Sequence, residues 1–149
     1  MQFNWENIGI KTRVEKNAVY FLDPIRKKYI KSTPEEEVRQ WFIHVLVNEL
    51  GYPKNNIAVE REIKYHNRRK RFDILIYKDS TPVMLIECKA PEIPLTQKVF
   101  DQLSTYNFEL KVPYLVITNG KNHISCQVDL AKKTFHFLKN LPPYKSLFV

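Results

Sequence analysis

Glycine is scarce here: three in 149 residues. Gly9, Gly51 and Gly120 all stand where turns or element ends are expected rather than in a linker. Repeats and low-complexity tracts are absent too, so nothing in the sequence argues for an internal boundary. With 44% hydrophobic and 13% aromatic content the chain can fill one core. The expectation is a single domain, with residues 1–31 as an N-terminal strand extension and 32–149 as its core.

Cysteine is nearly as rare. Cys88 and Cys126 do not form a CxxC pair, and His44, His66, His123 and His136 have no zinc-ligand spacing, so a structural zinc site is not expected. No apolar stretch approaches the roughly 20 residues that span a bilayer, and the start MQFNWENIGIKTRVEK lacks the apolar run of a signal peptide. This reads as a soluble, cytoplasmic chain with no membrane partner. Acidic residues are the minority: 16 against 24 Lys and Arg, for a formal charge of +8. A polyanionic partner follows, although charge alone does not separate nucleic acid from a membrane surface.

Residues 17–31 read as two short strands, NAVYFL and KKYIK, around the turn Asp23-Pro24-Ile25-Arg26. A helix then begins sharply. Thr33 caps it, Pro34 suits its first position, Glu36 completes a capping box, and Gly51 stops it. Val38, Trp41, Phe42, Val45, Leu46 and Leu50 form its apolar face. IAVEREIKY, the basic turn HNRRK, RFDILIY, the turn KDST and PVMLIECKA then make a three-strand antiparallel meander. Leu95, Val99, Leu103, Tyr106 and Leu110 mark a second helix, PYLVITNG a strand buried on both faces, and HISCQVDL and TFHFL outer strands.

Strand alternation puts Glu87 and Lys89 on one side of VMLIECKA and Ile86, Cys88 and Ala90 on the other. A hairpin can bring Asp73, in RFDILIY, against Glu87. Glu35 lies three residues before Val38 and extends the buried face of the first helix as a third carboxylate, while Glu37 faces solvent. Desolvated charges cost several kcal/mol each, so such a cluster points to a cation. Two carboxylates, a main-chain carbonyl (Cys88) and water suit Mg²⁺, with Mn²⁺ as a substitute. Lys89 then orients a metal-bound water and stabilises developing charge during phosphodiester hydrolysis.

Simpler readings stand beside these. Glu87 and Lys89 are equally an exposed ion pair on an antiparallel edge, usually worth less than about 1 kcal/mol. Gln102 and Tyr106, four apart on the second helix, face one side and can reach a phosphate or base, or else Tyr106 is core and Gln102 its polar neighbour. Arg68, Arg69, Lys70 and Arg71 can grip a nucleic-acid backbone, or are merely solvated at a hairpin tip. Cys88 points into the core as a small apolar group and is no nucleophile.

The segments DPIRKKYI, TPEEEVRQWF, LGYP, KRFDILIY, LIECKAP, QKVFDQLSTYN and YLVITNG, in that order, resemble the N-terminal nuclease domain of type I restriction enzyme R subunits and its stand-alone relatives, within the PD-(D/E)xK superfamily. The resemblance runs from about Asp23 to Asp129. It implies an α/β restriction-endonuclease-like core with a mixed sheet flanked by helices. It also implies Asp73 and Glu87 as metal ligands, Lys89 as catalytic lysine, Glu35 as helix glutamate, and Gln102 with Tyr106 as an accessory QxxxY motif. The expected function is a Mg²⁺-dependent DNA endonuclease or nuclease subunit, alone or within a larger restriction or repair complex. A catalytically silent nucleic-acid-binding or assembly module is the alternative, and an RNA-directed or junction-resolving nuclease a more distant one. With no P-loop or helicase segment, this chain is not by itself an ATP-driven translocase.

Overall fold

The structure, a computed structural model, describes residues 8–65 and 67–148, without the side chains of Tyr65, Arg68, Tyr106, Phe108, Glu109 and Phe148. Strands β1 (Thr12–Glu15), β2 (Ala18–Asp23) and β3 (Lys28–Lys31) form a small antiparallel sheet. Helix α1 (Pro34–His44) leads to β4 (Ile57–Tyr65), β5 (Arg68–Lys78) and β6 (Thr81–Cys88). Helix α2 (Gln97–Leu110), β7 (Tyr114–Thr118), β8 (His123–Asp129) and β9 (Thr134–Phe137) complete the order. The larger sheet runs β4-β5-β6-β7-β8-β9. Its one parallel pair is β6 with β7, the pair that α2 connects.

Alternate residues of the large sheet face opposite helices. Ile74, Ile76, Ile86 and Val116 pack with Val38, Phe42 and Leu46 on the α1 side. Leu75, Leu85, Leu115 and Ile117 pack with Phe100 and Leu103 on the α2 side. All five residues of β7 are buried, as a strand covered on both faces requires. Mixed α/β architecture, meander, crossover helix and outer strands therefore match expectation. Among the described residues no helix is long and apolar enough to cross a membrane.

Four local readings need correction. First, the capping box is only half made: Thr33 Oγ1 accepts from the Glu36 N–H at 3.0 Å, but the Glu36 carboxylate turns inward to Arg26 and Arg39. Thr33→Ala is expected to cost about 1 kcal/mol in urea unfolding, since only the threonine side of the cap is lost. Second, the helix does not stay α-helical to Leu50. A π turn spans Val45–Glu49, with Asn48 Nδ2 donating to the His44 carbonyl at 3.2 Å, a side chain competing for a backbone acceptor.

Third, Arg68, Arg69, Lys70 and Arg71 are not a turn. They pair with Tyr65, Lys64, Ile63 and Glu62, because the register set by Val59↔Ile74 simply continues outward. The turn residue His66 lies outside the described residues. Fourth, β1 was not expected, its four residues being polar or isolated in character and all exposed. The interior of β4 is interrupted at Glu60, whose φ of 52° is left-handed.

Candidate active site

The β5–β6 ladder ends at Ile74↔Ile86, and one further step sets Asp73 opposite Glu87. There the strands part and side chains take over from the backbone. Asp73 Oδ2 accepts from the Cys88 N–H at 2.8 Å, and Oδ1 accepts from Arg39 Nη2 at 2.7 Å. The Glu87 carboxyl lies within reach of the Asp73 charge. Burial first, then the Asp73 charge, push Glu87 up to about 8, against the opposing pull of Lys70 and Lys89. Glu87 Oε1 is buried with no hydrogen-bond partner. Strand β6 is interior to the sheet, which removes the reading of Glu87 as half of an exposed ion pair on a sheet edge.

Lys89 follows the end of β6, fixed by its N–H to the Thr118 carbonyl of β7 at 2.8 Å. A small cavity of about 60 Å³ brings Lys70, Glu87, Lys89 and Gln102 together. Val99 and Leu103 of α2 and Ile117 of β7 form its apolar wall. Gln102 therefore lines the same cavity as Glu87 and Lys89. The Tyr106 and Arg68 side chains lie outside what is described. Lys70 leans in from the basic hairpin, whereas Arg69 and Arg71 are exposed, Arg69 3.5 Å from Glu62.

Glu35 departs from expectation: it is exposed rather than on the buried face. It still feels the site, since partial burial and Asp73 raise its pKa while Arg39 and Lys89 lower it. Glu37, expected in solvent, is half-buried and accepts from Ser32 Oγ at 3.3 Å. Cys88 is fully buried on the α1 side, and burial raises its thiol pKa far from thiolate chemistry.

Sequence reading missed Arg39. It is 5% exposed and bridges Glu36 and Asp73 with one guanidinium. Burial opposes its charge, but Glu36 and Asp73 outweigh this and raise its pKa. Behind it Arg26 joins Asp23 at 2.7 Å and also Glu36. Gln40 Nε2 donates to Asp23 at 2.8 Å and to Glu36 at 3.1 Å. Burial alone would raise the Asp23 pKa, but hydrogen bonds from Arg26 and Gln40 and the Arg26 charge bring it down. The fixed turn between β2 and β3 thus reaches the Asp73 carboxylate through α1. The available signal was chemical: two arginines and a glutamine spaced among the acids of two segments that otherwise read as a turn and a helix start.

Among the described residues no group of three or more His, Cys, Asp or Glu side chains is arranged to hold a metal ion. Mg²⁺, however, typically takes one or two carboxylates and fills its shell with water and phosphate. Two carboxylates forced together, one with an unpartnered buried oxygen, fit such an ion. A proton on Glu87 relieves the same repulsion. Glu87 binds that proton more tightly folded than unfolded, so stability declines as pH rises from about 4.5 toward about 8 and levels off above. In chelator, Glu87→Gln is expected to gain stability over the parent across that window, measured by urea unfolding at pH 5, 7 and 9.

Residues 34–142 match the family described as type I restriction enzyme R protein N terminus (HSDR_N). The chain belongs to this family. A solved fragment assigned as an HsdR subunit of a type I restriction enzyme from Vibrio vulnificus YJ016 has the same fold, with a TM-score of 0.56 at 21% identity. That match covers 76% of this chain and 24% of the fragment, so the chain spans about a quarter of that HsdR fragment. No curated protein matches. The family match starts at the first residue of α1 and closes after β9. It contains Glu35, Arg39, Asp73, Glu87, Lys89 and Gln102.

Proposed function

We propose that this HSDR_N chain is a divalent-cation-dependent nuclease of the PD-(D/E)xK type, with a restriction-endonuclease-like core, that hydrolyses DNA phosphodiester bonds. It acts as an endonuclease or as the nuclease part of a larger restriction or repair assembly. The observation that carries this reading is the convergence of Asp73 and Glu87 beside Lys89 on interior strands, with one Glu87 oxygen buried and unpartnered. Stability does not favour such an arrangement, since two like charges desolvated together oppose folding.

Asp73, Glu87 and the Cys88 main-chain carbonyl would hold Mg²⁺, or Mn²⁺ in its place. Bound there, the cation supplies Lewis acidity toward the phosphate and lowers the pKa of a coordinated water. The chain's own residues do the rest. Lys89 orients the attacking water and offsets charge growing on the phosphate oxygens. Gln102 donates an amide N–H to a non-bridging oxygen, with Tyr106 one helical turn further on α2, and Lys70 adds a second cation at the same cavity. Arg68, Arg69 and Arg71 track the backbone outside it, making binding salt-dependent. Glu35 borders the site as a third carboxylate. Arg39 acts as a positioning residue, locking the Asp73 carboxylate in one orientation.

Supercoiled plasmid incubated with the protein and Mg²⁺ or Mn²⁺ is expected to be nicked or linearised, and chelator to stop it. Independently of activity, saturating Mn²⁺ at pH 8 is expected to raise the melting temperature by about 5–10 °C, and Asp73→Asn to abolish that rise. A binding or assembly module that does not cleave is the second reading. On its side stands one observation: both Asp73 oxygens already accept hydrogen bonds, from Arg39 and Cys88.

A further inference from the structure

A second concavity beside α1 lies away from the Asp73 pocket. A cavity of about 410 Å³ opens between the 8–11 segment, β2 and the outer side of α1, within the size range of small-molecule sites. Its wall is apolar, supplied by Ile8, Ile10, Leu22, Pro24, Ile43 and Val47. Its charged lining residues, Lys11 and Lys54, are both cationic, and no acid lines it among the described residues. Gln40 lines it as well.

Gln40 is 1% exposed, and its Oε1 is a buried acceptor without a hydrogen-bond partner. The amide is not free to flip: Nε2 donates to two carboxylates, Asp23 and Glu36, and reversal would set oxygen against oxygen. An acceptor left unsatisfied in this way costs about 1–3 kcal/mol.

We propose that this cavity is a binding site for a small aromatic monoanion carrying one N–H or O–H donor. The ring packs on the aliphatic wall, the donor meets Gln40 Oε1, and the anionic group lies toward Lys11 and Lys54. This site is separate from the Asp73 pocket and stands whether or not the chain is a nuclease. Gln40 connects the two, because its amide holds the same Glu36 that holds Arg39.

Three probes dissect the site: indole-3-acetate, its N-methyl derivative and indole-3-ethanol, each titrated into the ¹⁵N-labelled full chain while amide shifts are followed. Indole-3-acetate is expected to shift amides of residues 8–11, Leu22 and 40–48. Loss of the donor or of the anion is expected to weaken binding about tenfold each. Val47→Phe, which narrows the cavity, and Lys11→Glu, at an exposed position that leaves the fold intact, are both expected to reduce the indole-3-acetate shifts at least about fivefold. No shifts at millimolar probe, equal affinity for all three probes, shifts unchanged in Lys11→Glu, or shifts centred on Lys89 and Gln102 would each overturn the assignment.

Discussion

Replacing Lys89 by alanine is expected to lower metal-dependent cleavage of duplex DNA by about 100- to 1,000-fold, the usual loss when a positioned charge-stabilising group is removed. Stability is expected to move by no more than about 0.5 kcal/mol. What anchors this position is its main-chain N–H, donated to Thr118 at 2.8 Å, and alanine keeps it. The ammonium lines a cavity rather than filling core. Quantified plasmid nicking with Mg²⁺, beside a melting curve of the same preparation, separates the two effects. Cleavage equal to the parent would remove Lys89 from the mechanism, and cleavage absent in the parent itself would favour the assembly-module reading.

Arg39→Met is expected to have the largest effect on the fold, a loss of about 3–5 kcal/mol, because it leaves the carboxylate of Asp73 without its paired arginine and Glu36 with Arg26 alone, in a buried setting. For a chain of this size that corresponds to roughly 10 °C in melting temperature. Arg39→Lys is expected to recover only part of it. The guanidinium reaches Glu36 with Nη1 and Asp73 with Nη2 at once, and a single ammonium on a flexible stem does not reproduce that fork. Thermal unfolding in chelator measures both variants, and a loss under about 1 kcal/mol for Arg39→Met would show that solvent, not Arg39, screens the carboxylates.

Strand periodicity made Glu87 and Lys89 legible, because two charges on one face of an otherwise apolar run stand out at a period of two. A hairpin allowed Asp73 to reach Glu87, but the register that sets them opposite each other is read only from the folded sheet. Arg39 had no such signal. On a helix, a polar residue between Val38 and Gln40 looks like the solvent side, and its partner Asp73 lies 34 positions away. Glu36 misled for a related reason. Its place three residues after Thr33 satisfies a local capping rule, while the competing partner, Arg26, sits across a turn ten residues earlier. Arg68 to Arg71 read as a basic turn between two apolar runs, yet the backbone of all four pairs, while the exposed Arg69 and Arg71 keep their heads in water. Glu35 shows the limit of helical periodicity at a first turn, where the chain has just entered the helix and the residue stays exposed.

Among the described residues the six-stranded order leaves two open edges, β4 and β9, each a row of backbone groups able to recruit another chain. At β4 the left-handed Glu60 breaks the straight run, and the exposed Arg61, Glu62 and Lys64 crowd it with charge. At β9 the strand is only four residues long and flanked by Lys132, Lys133 and Lys139, which offsets the exposed Phe137. Both edges are poor templates for strand addition. A sheet protected in this way resists strand addition and aggregation through its rims.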